Sequence, residues 1–182
     1  FGRPPDSTET SVLSACEKSF IETDIRNESG KKSSNNGGQV VLNFRAHLSG
    51  DQEVPARETS ATGQAIFQLS KDGMELRYKL IVANLDNLSM SHIHVAPAGT
   101  NGGIVVWLYP PAPPASLIPG TTNGILQEGV IKKTDLRGIL AGQELTALID
   151  LMIDDRTYVN IHTSQFPGGE IRGQISGNVT AD

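Results

Sequence analysis

The chain carries one cysteine, Cys16, so neither an internal disulfide framework nor a four-cysteine zinc site can form within it. Basic charge is also scarce. Its formal net charge is −5, and the adjacent basic residues are confined to the pairs Lys31-Lys32 and Lys132-Lys133. Phosphate binding needs a basic patch that releases counterions, which argues against nucleic acid as a partner. No apolar run approaches the roughly 20 residues that a membrane span requires. Also missing are a nucleophile elbow, a phosphate loop, a Rossmann fingerprint and an H-E-x-x-H pair. What remains is a chain of 182 residues, 37% hydrophobic and 19% charged. That is long enough to bury a proper core, and its composition is not that of a disordered segment.

Two compositional regimes follow one another. Residues 1–39 read as an arm. Asp6 and Glu9 resemble a capping box, and Leu13, Cys16 and Phe20 fall at helical spacing, so a short amphipathic helix is expected at residues 9–26. The stretch NESGKKSSNNGG, residues 27–38, has linker composition. Two roles are open to the arm: packing on its own domain, or docking on a neighbouring subunit with Cys16 placed to cross-link. Because the sequence opens on Phe1 rather than Met, removal of an upstream leader is expected.

From residue 40 the hydrophobic period becomes two. Leu42, Phe44, Ala46 and Leu48 alternate with polar residues, as do Ala65, Phe67 and Leu69. After the turn at residues 70–73, with its Asp-Gly pair, comes a second run of Met74, Leu76, Tyr78, Leu80 and Val82, which predicts a β-hairpin. Further strands are predicted at residues 91–95, 104–109, 125–131, 157–163 and 170–176. The run IVVWLY at 104–109 is apolar on both faces and should be covered on both. A following loop holds five of the ten prolines and is expected to stay out of any central strand. One interior helix is predicted at residues 143–154, from Leu145, Leu148, Ile149 and Met152. The pattern predicts an all-β domain at residues 40–177, a sandwich or flattened barrel with one or two short helices, and a tail at 178–182.

Four stretches resemble one known family in the order it uses them. FRAHLSGDQEVP (44–55), ATGQAIF (61–67), SHIHVAPAGTNGGIVV (91–106) and YVNIHTSQFPGGEIRGQI (158–175) are similar to the CHRD domain, the module first described in chordin. The resemblance covers roughly residues 40–177. It implies an antiparallel immunoglobulin-like or superoxide-dismutase-like β-sandwich in a secreted, extracellular protein. It does not carry growth-factor antagonism with it, because chordin's ligand contacts belong mainly to a different module. The chain departs from the usual pattern by lengthening the Pro-rich loop and the helical segment before Tyr158.

Strand parity places the four histidines. His92 and His94 alternate with Ile93 and Val95, His162 with Ile161, and His47 with Ala46 and Leu48, so all four are expected on the solvent side, away from the apolar core. Residues i and i+2 of a strand stand about 6.5–7 Å apart, close enough for two imidazoles to converge on one ion. His92, His94 and His162, with His47 as a fourth candidate, are the expected ligands of copper or zinc. This arrangement resembles copper/zinc superoxide dismutase, where an H-x-H strand supplies copper ligands. Hydrogen bonding that fixes nearby loops is the competing role for these imidazoles.

Smaller features have structural readings. Asp154-Asp155 reads as solvated carboxylates, with calcium as the alternative. Glu170 and Arg172 are expected on the outer face, pairing with each other or with the next strand, and Gly168-Gly169 to supply a positive-φ turn. Asn27, Asn87 and Asn178 begin N-x-S/T triplets, candidate glycosylation sites in a secretory pathway. Three functions follow: a non-catalytic extracellular module that binds a protein partner or self-assembles through its arm, a copper-dependent enzyme of the superoxide-dismutase type, or metal capture without turnover.

Overall fold

The computed structural model describes residues 40–181. The expected helix at 9–26, the linker, Cys16 and Asn27 lie outside them. The fold is all-β, with eight strands and one helix among the described residues: β1 (Val40–Ser49), β2 (Thr62–Leu69), β3 (Leu76–Val95), β4 (Gly103–Tyr109), β5 (Ile118–Ile131), α1 (Leu145–Ile153), β6 (Thr157–Thr163), β7 (Ile171–Gln174) and β8 (Ser176–Ala181). Among the described residues no helix is long and apolar enough to cross a membrane.

The expected hairpin is present. β2 and β3 pair antiparallel from Thr62↔Ala83 to Leu69↔Leu76. Their turn is closed by Asp72, whose carboxylate accepts from the Ser70 hydroxyl and the Met74 amide, and by Gly73 at φ 71. The run at 91–95 is not a separate strand. It is the end of β3, which continues for 20 residues past two positive-φ asparagines, Asn84 and Asn87. The first half of β3 pairs with β2 and β5, and the second half with β4 and β6. Ladders β2–β1, β1–β7, β7–β6, β6–β3 and β3–β2 therefore close a ring. β3 belongs to both halves of it.

Apart from Met74, which is exposed ahead of β3, the inward set is the one that alternation predicts. Phe44, Ala46 and Leu48 of β1, Ala65 and Phe67 of β2, Leu76, Leu80 and Ile93 of β3, and Val159 and Ile161 of β6 form a single buried cluster. Leu145, Leu148, Ile149 and Met152 place one stripe of α1 in the same cluster. In β4, Val105, Val106 and Leu108 are buried while Trp107 is half-buried, so the strand is covered on both faces.

Two boundaries and one pairing differ from expectation. β5 starts at Ile118, so Pro119 enters a strand; the strand's recorded ladder is to β3 alone, and such a strand tolerates a residue without an N–H donor. The expected tail at 178–182 is mostly strand, because β8 pairs with β1 up to Val40↔Ala181. Glu170 and Arg172 share a face but are buried, and each bonds elsewhere rather than to the other.

Candidate metal centre

The register of β3, β6, β7 and β4 builds a second, polar layer on the side of the sheet opposite the apolar cluster. His92 stands across from Asn160 of β6 and Trp107 of β4, His94 across from Tyr158, and Asn160 across from Arg172. His162 is one strand step from Asn160 on the same face. Parity therefore placed these residues correctly with respect to Ile93 and Ile161. The expectation of a solvent-facing site is corrected: His92, His94 and His162 are buried. Three loops close over them. Glu53, from the segment after β1, accepts a hydrogen bond from Asn160 Nδ2 at 2.6 Å. The β3–β4 loop reaches His94 through the Gly102 carbonyl, and the β6–β7 loop reaches His162 through the Pro167 carbonyl.

His47 is not part of the group. It sits exposed on β1 opposite Gln64, and its backbone carbonyl accepts from Gln52 Nε2. Asp154 and Asp155 are exposed and join no ligand cluster among the described residues. Gly169, at φ 122, provides the expected turn. Asn87 is half-buried, with its side-chain oxygen accepting from the Gly120 amide, and Asn178 lies in β8.

The three buried rings present their nitrogens in a definite pattern. A carbonyl oxygen only accepts, so the His94 Nδ1 that lies 3.0 Å from Gly102 O must carry its proton, and so must the His162 Nδ1 at 2.9 Å from Pro167 O. That leaves a lone pair on Nε2 of each neutral ring. His162 Nε2 faces His92 Nδ1 at 3.2 Å, while His94 Nε2 is buried with no partner. One ligand atom from each of the three rings lies within 4.8 Å of the others. Two nitrogens bound to the same ion at about 2.0 Å stand roughly 3.3–3.5 Å apart, so the His92–His162 pair already has that spacing and His94 needs a small shift. Tying the outer ring nitrogen to a backbone carbonyl is also how proteins orient metal-binding imidazoles.

The electrostatics suit the same use. Burial is the largest cause pushing His92 down to about 3, with His162 and His94 adding to it. Burial likewise lowers His94 to about 4 against the opposing effect of its Gly102 bond, with smaller contributions from His162 and Arg172. His162 is lowered by burial, offset in part by Pro167. All three rings are therefore neutral at pH 7, the form that binds metal.

Several supporting residues were not assigned to this centre from the sequence. Tyr158 stacks on His94 at 4.8 Å with an interplanar angle of 8°, and its hydroxyl accepts from Gly102 N, which anchors the residue whose carbonyl holds His94. Arg172 lies 3.4 Å over the Tyr158 ring and donates to the carbonyls of Pro97 and Thr100. Trp107 packs edge-on against His92 at 4.3 Å. Alternation around His92 and His162 put Tyr158 and Asn160 on this face, but only the cross-strand register shows which rings meet.

A family model for the CHRD domain matches residues 44–175, which include every residue of this centre. No curated protein and no solved structure matches the chain.

Proposed function

The chain belongs to the CHRD-domain family, and from that premise we propose that it is a non-catalytic extracellular module holding one transition-metal ion, copper or zinc, on His92, His94 and His162. The observation that carries this reading is the set of ring nitrogens left over after hydrogen bonding. Loop fixing alone accounts for the Nδ1 atoms of His94 and His162. It gives no partner to His94 Nε2 and sets two imidazole nitrogens 3.2 Å apart across β3 and β6. A buried polar atom without a partner carries a desolvation cost of about 1–3 kcal/mol, which a bound ion would remove.

A copper-dependent enzyme would need an open coordination position reached by substrate. The covering loops and the lack of solvent contact at His92 Nε2 and His94 Nε2 favour retention of an ion over turnover. The finer fold reading, a flattened sandwich of the immunoglobulin or superoxide-dismutase kind, is supported by the way β3 serves two halves of the ring. Binding of a protein partner or self-assembly through residues 1–39 is the accompanying role. Deleting residues 1–38 should leave the domain folded and reduce self-association by light scattering; unchanged oligomer size would remove the arm from it.

Metal analysis of the full chain, purified without a His tag and reconstituted with copper or zinc, tests the metal reading. It predicts close to one equivalent per chain, lost on replacing His92 and His94 with Ala while the circular-dichroism spectrum is kept. Failure of the wild-type chain to retain either metal overturns it.

A further inference from the structure

A trio of imidazoles accepts several ions, and the surroundings of this one narrow the choice. Resting on the metal-centre reading above, we infer that the site is built for copper(I), held by three imidazoles without a fourth ligand, in preference to a divalent ion.

The ligand set is uncharged. Among the described residues no carboxylate or thiolate joins the three histidines. The two buried carboxylates of the polar layer are committed elsewhere: Glu53 accepts from Asn160, and Glu170 accepts from Thr59 and Thr163, each at 2.7 Å. The fixed charge that acts on His94 is positive. It is the guanidinium of Arg172, set against the Tyr158 ring that stacks on His94. An ion held by the three rings thus meets neutral nitrogens and the edge-packed indole of Trp107, while the charged groups of the layer, the Arg172 guanidinium and the Glu53 and Glu170 carboxylates, are engaged with other partners.

Charge and coordination number then point the same way. The cost of moving an ion out of water rises with the square of its charge, so a dication meets about four times the penalty of a monocation of similar size. Zinc in a closed site also takes four ligands, usually with thiolates or carboxylates among them. Here the ligand nitrogen His94 Nε2 is buried out of solvent contact, which leaves little access for a fourth ligand from solvent. Copper(I) carries a single charge and is satisfied by three nitrogen donors. The competing arrangement is zinc with the Asn160 side-chain oxygen as fourth ligand, since that oxygen is buried, unpartnered and across the ladder from His92.

The test uses the full, metal-free chain without a tag. Under anaerobic conditions it is titrated with copper(I) supplied as its bicinchoninate complex and, separately, with zinc(II) against a chromophoric chelator. The copper-loaded protein is then exposed to air and examined by electron paramagnetic resonance. The inference predicts one copper(I) per chain, held at least about a hundredfold more tightly than zinc(II), and a spectrum that stays silent in air. Zinc binding as tight as copper(I), or a copper(II) signal accounting for all the metal, overturns it. Those two results leave the metal-centre reading standing if His92→Ala abolishes the binding seen. Binding of neither ion overturns both.

Discussion

His92 Nδ1 and His162 Nε2 face each other at 3.2 Å across the β3–β6 ladder. The His162 nitrogen is an acceptor, because its Nδ1 proton is spent on Pro167. Either His92 donates to it, or an ion lies between two lone pairs. Replacing His92 with Ala should weaken metal binding by more than about a hundredfold, beyond the 10–100-fold typical of losing an outer partner. His47→Ala, on the exposed face of β1, should leave metal content unchanged. Equal effects of the two variants in a metal-retention assay would remove the distinction.

Trp107 is the only tryptophan of the chain, and its ring lies 4.3 Å from that of His92. Its emission should respond to metal addition and saturate at one equivalent. In His92→Ala the response should vanish. A response that persists there would place the bound metal elsewhere.

Gly102 supplies the carbonyl that orients His94, and its amide is fixed by the Tyr158 hydroxyl. A Cβ at this position would overlap the Val95 carbonyl oxygen, so Gly102→Ala must displace backbone. A loss of stability on the order of 2 kcal/mol is expected in chemical denaturation. Tyr158→Phe keeps the stack and removes only the hydroxyl. It should lower metal affinity by about tenfold with little change in fold.

The depressed histidines fix the sign of the acid response of the metal-free chain. Their folded-state values lie below the ordinary 6.5, near 3 for His92 and near 4 for His94. As pH falls below 6.5 the unfolded chain binds protons that the folded chain refuses, so stability is full above that point and declines down to the folded values. The denaturation midpoint should therefore be lower at about pH 5 than at about pH 7.5. Bound metal should raise stability at neutral pH by about 2.7 kcal/mol when the free ion is at a hundred times its Kd, an increment that competing protons erode in acid.

The strands of the apolar cluster were legible because alternation and an Asp-Gly turn act locally. β3 was harder. Its expected runs ended at Val82 and resumed at Ser91, whereas positive φ at Asn84 and Asn87 and register shifts let one strand continue between them with Leu85 and Leu88 buried. For the histidines, parity gave the right face and the wrong exposure. Their cover comes from loops: Glu53 on Asn160 from far along the chain, and the adjoining loops' Gly102 on His94 and Pro167 on His162. Period-two reasoning sees only which way a side chain points. The same blindness left His47 as a fourth candidate.

Crystals of the metal-loaded chain, measured above and below the absorption edge of the added metal, test the central claim most directly. An anomalous peak bonded to His92 Nδ1, His94 Nε2 and His162 Nε2 at about 2.0 Å is the predicted result. An anomalous map without density between those three rings, from crystals in which the metal is present, would contradict it.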